Sequence, residues 1–306
     1  MSTFLAIVKH HVSALRAVWW MFRNHPFPVF RVLLSEHLEA WKKMAEQVKN
    51  YRVLSTGEML QKPTGKRVFL FGSGYSLNDI SAEEWARFSK EDSIGFSGSI
   101  YLQKLPLTYL LLRAWTETSA GSLAWQNDSR DVLDAIERNP FLADTVFVLP
   151  TGFTSIFTNR LVGFGLWNKA YTIGHYLPDK LGRFPHRNIE SGIVHGKSTL
   201  CSAISLAVAL QYDEIVLVGV DLYDSRYFWL EPDKTLGWSD AEKKLVVSDT
   251  TVRGATVGSV HNTVNNGIVS YLGEWNSYIE RHYGARLSVY NPKSLLVATL
   301  PLFQWN

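Results

Sequence analysis

An open α/β fold, with a mostly parallel sheet covered by helices, is predicted for this 306-residue chain by three observations. The β-rich run Arg67-Val68-Phe69-Leu70-Phe71 leads straight into a glycine turn, Gly72-Ser73-Gly74-Tyr75-Ser76-Leu77. A helix-period segment from Ser198 to Leu210 feeds a continuous apolar strand, Glu214 to Val220, that ends on Asp221. Further short strand candidates follow the same alternation with helical segments: Asp92 to Phe96, Leu105 to Leu112, Thr145 to Leu149, Ala170 to Ile173 and Ala285 to Val289. Continuous apolar strands are buried on both faces, the condition of a parallel sheet with helices above and below.

The elements divide the chain in two. Residues 1–62 read as an amino-terminal amphipathic helical arm. Phe4, Val8, Leu15, Trp19 and Phe22 recur at three- and four-residue steps, and after Pro26 and Pro28 so do Phe30, Leu34, Leu38, Trp41 and Val48. Adjacent Trp19 and Trp20, with Lys9, Arg16 and Arg23 and no acidic residue before Pro26, suit a membrane surface. Packing on the core domain or on another subunit competes with that reading for residues 1–25. Residues 63–306 then form the core domain, entered through Pro63-Thr64-Gly65-Lys66. Asn78-Asp79-Ile80-Ser81 before Ala82-Glu83-Glu84-Trp85 predicts a helix start with acidic residues in its first turn. From Ser225 to Asn265 the pattern loosens into a lid-like insertion, and helical periodicity returns over Gly267 to His282.

Composition excludes several classes. Hydrophobic residues make up 46% and charged residues 19%, the balance of a folded chain. A net charge of +3, from 31 basic and 28 acidic side chains, gives no footprint for nucleic acid. No run is apolar for long enough to span a bilayer, and charges at Lys9 and Arg16 break any secretion signal. The single cysteine, Cys201, lies in an apolar helical context and reads as a buried reduced thiol, in keeping with the cytoplasm.

Candidate chemistry gathers where strands end. Glycines in the first turn permit a tight bend and remove the Cβ that blocks close approach, so Gly72, Ser73 and Gly74 suit either a phosphorylated ligand or a purely structural turn. Ser97-Gly98-Ser99 forms a second small polar turn after a strand. Asp221, at a carboxyl end, is a ligand-site carboxylate or a capping one. His261, between the loose insertion and a helix, is a general base or a capping histidine. The remaining histidines show no ligand spacing that identifies a metal, and neither an Asp-x-Asp pair nor a GxSxG elbow is present.

In order, Lys66 to Leu77, Ala209 to Tyr223, His261-Asn262-Thr263 and Asn291-Pro292-Lys293-Ser294-Leu295-Leu296 resemble the motifs of bacterial CMP-sialic-acid-dependent sialyltransferases of the Campylobacter type. More distantly they resemble pterin diphosphokinase-like proteins. The resemblance implies a Rossmann-like, metal-independent, inverting glycosyltransferase that needs no cofactor beyond its CMP-sugar donor. It implies nucleotide contacts at Gly72, Ser73, Gly74, Ser97, Gly98, Thr199 and Asp221, tyrosines at Tyr223 and Tyr227 on the leaving phosphate, and His261 as base. Ser73 stands where the family commonly has asparagine, and Gly258 where it has tyrosine. These departures widen the implied donor from sialic acid to Kdo or a related nonulosonate. The acceptor expected is a surface glycan or glycolipid, at the inner face of the cytoplasmic membrane, and a homo-oligomer is compatible with the family. An ATP-dependent diphosphokinase-like enzyme and a noncatalytic nucleotide-binding protein are the alternatives.

Overall fold

The computed structural model describes residues 52–112, 135–150, 172–176, 178–179, 182–224, 226–228 and 261–305, together with Arg23, Phe27, Pro28 and Arg31. In chain order the strands are β1 (Arg52–Leu54), β2 (Arg67–Phe71), β3 (Asp92–Phe96), β4 (Tyr109–Leu111), β5 (Val146–Pro150), β6 (Thr172–Tyr176), β7 (Pro178–Asp179), β8 (Ile193–Val194), β9 (Glu214–Val218) and β10 (Arg286–Val289). Eight of them form one sheet in the order β1-β6-β5-β4-β3-β2-β9-β10, and β7 pairs with β8 apart from it. Every pairing is parallel, as the apolar runs predict. The Rossmann-like α/β class is therefore observed.

Strand periodicity divides the core between two faces. Val68, Leu70, Ile215, Leu217, Leu287 and Val289 join one buried cluster, while Phe69, Phe71, Val216 and Val218 join the other with Trp85, Phe88 and Phe303. On the first face lies α3 (Thr199–Ala209), whose residues from Leu200 to Ala209 are all buried. Burial on all sides obliges its serines to find partners inside. Ser205 Oγ accepts the Val194 amide at 3.0 Å, and Ser202 Oγ meets His195 Nδ1 at 2.6 Å. Beside it α5 (Ile268–Tyr283) buries Ile268, Leu272, Trp275 and Ile279 along one stripe and stops at Gly284, which takes the left-handed φ of 64°.

Local signals hold where they were strongest. α2 (Ala82–Phe88) starts at Ser81 with a full capping box to Glu84, worth about 1 kcal/mol. Glu84 does more than cap the helix: its other oxygen accepts the Tyr290 hydroxyl. The strand expected over Leu105 to Leu112 contracts to Tyr109–Leu111, because Leu105 and Leu107 are buried in the approach to it and not in the ladder.

The arm expected over residues 1–62 lies mostly outside the described residues. Its last part is sheet: β1 pairs with β6, and α1 (Thr56–Gln61) packs behind it with Met59 fully buried. Three residues are too few for periodicity to reveal a strand. The insertion is described only at its ends.

One topological feature positions everything that follows. The chain leaves β2 towards β3, β4, β5 and β6 on one side, then returns on the other side as β9 and β10. β2 and β9 are therefore neighbours across a switch in winding direction. A crevice opens outside the carboxyl ends at such a point.

The two glycines nearest that crevice differ sharply from Gly57 in what a side chain would meet. A Cβ on Gly74 would lie 2.7 Å from the Gly219 carbonyl and 2.5 Å from Asp221 Oδ2, whereas one on Gly57 meets nothing within 4 Å. Gly74→Ala is expected to destabilise by about 3 kcal/mol through backbone displacement, and Gly57→Ala in α1 to stabilise by about 0.5 kcal/mol. Urea denaturation of the two variants checks both signs.

Candidate functional site

Past Phe71 and Val218 the two central chains stay in contact. The Gly72 amide donates to the Val218 carbonyl and the Gly74 amide to the Gly219 carbonyl, each at 2.8 Å. A Cβ on Gly72 would approach the Gly219 carbonyl to 2.5 Å. Both glycines are thus required by the neighbouring chain. With the Ser76 amide, which donates to Asp221 Oδ2 at 2.9 Å, three donors of the turn are spent on protein acceptors. The expectation that this turn offers its amides as a phosphate cradle fails for those three. Ser73 is half-buried, and its carbonyl accepts the Phe228 amide at 3.2 Å.

Asp221 is 2% exposed. One carboxylate oxygen accepts the Ser76 amide; the other accepts the Ser76 hydroxyl and, at 2.9 Å, the Asn291 side-chain amide. A buried carboxylate keeps its charge only when donors replace its water. Here they come from two other loops, those after β2 and β10, and meet on the loop after β9 that carries Asp221. The next loop is tied in further: Ser294 Oγ donates to the Val220 carbonyl at 2.6 Å, and the Leu295 amide to the Asp221 carbonyl at 3.2 Å. Asp221, placed among the ligand contacts by sequence, therefore spends its carboxylate on the protein.

The next residue is strained. Leu222 is 7% exposed and has φ 63°, a left-handed conformation that costs a branched side chain about 1–3 kcal/mol. Its carbonyl accepts the His261 amide at 3.0 Å. This reversal brings Tyr223 and His261, far apart in sequence, to the same chain turn. Tyr223 is half-buried, and burial pushes its phenol up, as do Asp221, Asp224 and Asp79, while a hydrogen bond with the Asn291 side chain pulls it down. His261 caps α4 (Asn262–Asn265), its Nδ1 lying 3.3 Å from the Thr263 amide and 2.8 Å from Thr263 Oγ1. The capping and base readings differ in where one proton sits. If Nδ1 accepts from the amide, a neutral ring carries its hydrogen on Nε2; if Nδ1–H donates to Oγ1, Nε2 carries the lone pair a base needs.

The root of the insertion is fastened to the glycine turn. Gly74 and Tyr227 form an antiparallel bridge, the Phe228 amide donates to the Ser73 carbonyl at 3.2 Å, and Asn78 Nδ2 donates to the Phe228 carbonyl at 2.9 Å. Arg226 pairs with Asp224 through two bonds of 3.0 and 2.7 Å and lies over the Tyr75 ring, 3.8 Å from its centroid. Tyr227 thus stands beside Gly74.

The remaining expected contacts lie on the same edge. Ser97 and Gly98 open a tight turn directly after β3, with Ser99 Oγ bonded to the Phe96 carbonyl at 2.8 Å. Thr199 is the first residue of α3. That helix runs back to feed β9, so its N-terminus lies towards the carboxyl edge. Lys197 joins this N-terminal turn to the Asn266 carbonyl beside α4. Among the described residues no group of three or more His, Cys, Asp or Glu could hold a metal ion, and no helix is long and apolar enough to cross a membrane. Cys201 is buried, and burial pushes its thiol up, consistent with an inert side chain. Sequence reading missed Ser76, Leu222 and Asn291. Asn291-Pro292 opened one of the blocks that carry the resemblance but was assigned no role of its own, because nothing in a sequence tells which carboxylate an asparagine reaches.

No protein-family model matches the chain, and no curated protein matches it. Solved structures of the sialyltransferase CST-II are similar to it at low levels. One, in complex with a trisaccharide acceptor and CMP, has 14% identity and a TM-score of 0.35, over 77% of this chain and 85% of that one. Another, CstII from Campylobacter jejuni with the substrate analogue cytidine-5'-monophosphate, has 16% identity and a TM-score of 0.38, over 77% of this chain and 84% of that one. Likeness at this level carries no argument about the site.

The Arg226 fastening is sensitive to acid. Burial raises the Asp224 carboxyl, but the Arg226 hydrogen bonds and charge outweigh it and hold the group below its ordinary value. A lowered native pKa means that the pair's contribution is complete above about pH 4 and is lost as pH falls through the native value. Exchange of the Phe228 amide, corrected for its intrinsic pH dependence, is expected to accelerate below about pH 4. Arg226→Ala should be fast already at neutral pH, with no acid step.

Proposed function

We propose that this protein transfers an acidic sugar, sialic acid, Kdo or a related nonulosonate, from a CMP donor to a hydroxyl of a glycan acceptor. The observation that carries the reading is convergence. Four sequence blocks that resemble one transferase family in order, around Gly72, Asp221, His261 and Asn291, are joined by hydrogen bonds at one crevice. That crevice is the place where an open parallel sheet receives a ligand.

In this reading Ser73, the turn at Ser97 and Gly98, and Thr199 contact the nucleotide, while Gly72, Gly74 and Asp221 shape the turn that does so. The acceptor oxygen attacks the anomeric carbon as the bond from that carbon to the CMP phosphate oxygen breaks. Its proton passes to His261 Nε2, and CMP leaves with the bonding electron pair. Attack opposite the leaving group inverts the anomeric centre, and no covalent enzyme intermediate or metal ion is invoked. Tyr223, with Tyr227 beside it, stabilises the charge that develops on the leaving phosphate. An acceptor on a lipid-linked surface glycan would suit residues 1–25 lying on the inner face of the cytoplasmic membrane.

Calorimetry with CMP, CDP, UDP, ATP and GTP, each with and without magnesium, tests the donor class. A preference for CMP that is independent of magnesium is expected, and an ATP–magnesium requirement would overturn the proposal. His261→Ala should lower the transfer rate at least about 100-fold while leaving CMP affinity within a few-fold. Loss of CMP binding together with a collapse of the melting transition would make that histidine structural.

A further inference from the structure

The proposed base sits on a piece of helix too short to stand by itself. Helix α4 (Asn262–Asn265) is a single turn, and a turn of that length persists only where its two ends are held. At the first end the His261 amide donates to the Leu222 carbonyl at 3.0 Å. Within the turn the Val264 amide donates to the His261 carbonyl at 2.9 Å, and the Gly267 amide to the Val264 carbonyl at 2.8 Å. The second end closes on the carbonyls of Asn266 and Gly267, where a helix has no further amides of its own to offer. Lys197 fills that place. Its Nζ donates to the Asn266 carbonyl and, at 3.5 Å, to the Gly267 carbonyl.

Lys197 comes from another part of the chain, the turn that opens α3 two residues before Thr199. Its seat is defined from three sides. Gly196 takes φ 55°, and a Cβ there would lie 2.9 Å from Cys201 Cβ and 3.1 Å from Tyr271 Cε1, so the turn is pressed between α3 and α5. The Lys197 amine stands 5.2 Å from the centroid of the Tyr271 ring. At the corner between α4 and α5, Gly267 has φ 69°, and a Cβ on it would approach the same amine to 3.2 Å.

From this geometry we infer that Lys197 is a positioning residue for His261, fastening the histidine-bearing turn to the start of α3. The inference rests on the reading of His261 as the base and of Thr199 as a nucleotide contact. It goes beyond that reading by naming what keeps the two in register: one charge-assisted clamp joins the segment that meets the donor to the segment that takes the proton. A lysine beside a helix start is otherwise read as a contact for the donor's own negative charge. The two carbonyl acceptors and the Tyr271 ring favour the positioning role, and experiment separates the two.

The first measurement is amide hydrogen exchange on the free, full-length chain. Lys197→Met keeps the length of the side chain and removes its donors, and because Lys197 is exposed the core is untouched. Exchange at Val264 and Gly267 is expected to accelerate about 5-fold or more, with Trp275 and Ile279 in the middle of α5 unchanged and the melting transition intact. Lys197→Arg, which keeps charge and donors, should restore slow exchange. Unchanged exchange at Val264 and Gly267 in Lys197→Met would overturn the inference. The second measurement is transfer kinetics alongside calorimetry with CMP. Lys197→Met should lower kcat about 10-fold while CMP affinity and donor KM stay within about twofold, and Lys197→Arg should recover most of the rate. A loss of CMP affinity of about 10-fold with kcat unchanged would make Lys197 a ligand contact and overturn the positioning role. A chain whose turn loosens in Lys197→Met but which, unmodified, consumes no CMP-sugar keeps the tie between Lys197 and the histidine turn and loses the transferase reading.

Discussion

A buried carboxylate at the point where the sheet changes winding direction holds the candidate site together. Asp221 lies just past the central strand β9 at 2% exposure, where an uncompensated charge would cost several kcal/mol. The compensation is drawn from Ser76 and Asn291, so the loops after β2 and β10 are ordered by the same carboxylate in the loop after β9. The hydrogen bonds do not merely stabilise a finished structure. They make the positions of three loops conditional on one another, which is what a preorganised site requires.

The glycine requirement follows from that arrangement. For Ser76 to reach Asp221, the chain after β2 must run against the chain after β9, with Gly72 and Gly74 bonded to Val218 and Gly219. A side chain at either position would enter space that Gly219 and Asp221 already fill. Gly219 itself takes φ 65° with Leu77 packed where its Cβ would be. The small residues that in isolation suggest a phosphate cradle are thus explained by a protein–protein approach within the chain, and any nucleotide contact falls to what projects beyond it.

How much of this could be read from residues depended on the range of the interaction. Strands β2, β3 and β9 and the helices α3 and α5 were legible because apolar runs and 3.6-residue stripes are local patterns. The capping box of Ser81 and Glu84 is local too. β1 escaped because its three residues carry no period and its partner β6 is more than a hundred residues away. At the site, the strand-end turns, Asp221 and Tyr223 were visible as polar residues where strands stop, and His261 as a histidine between the loose insertion and a helix. The choice between ligand contact and internal clasp at Asp221 was not visible, since it turns on Ser76 at a separation of 145 residues and Asn291 at 70. A left-handed Leu222 leaves no compositional trace at all; glycine or asparagine would have announced it, and leucine does not.

That leucine ties the clasp to the histidine. A residue held at φ 63° without being glycine persists only where its surroundings over-determine it. Leu222 is bracketed by the Asp221 carboxylate before it and the His261 amide bonded to its carbonyl. Relaxing it to an ordinary φ would turn that carbonyl away from the His261 amide. The strain and the site geometry are therefore one constraint, and any substitution that frees Asp221 from its donors also loosens the distance between the tyrosine and the histidine. In the proposed displacement, where one group takes a proton while the other meets a leaving phosphate on the opposite side of the sugar, that distance is the quantity to be kept.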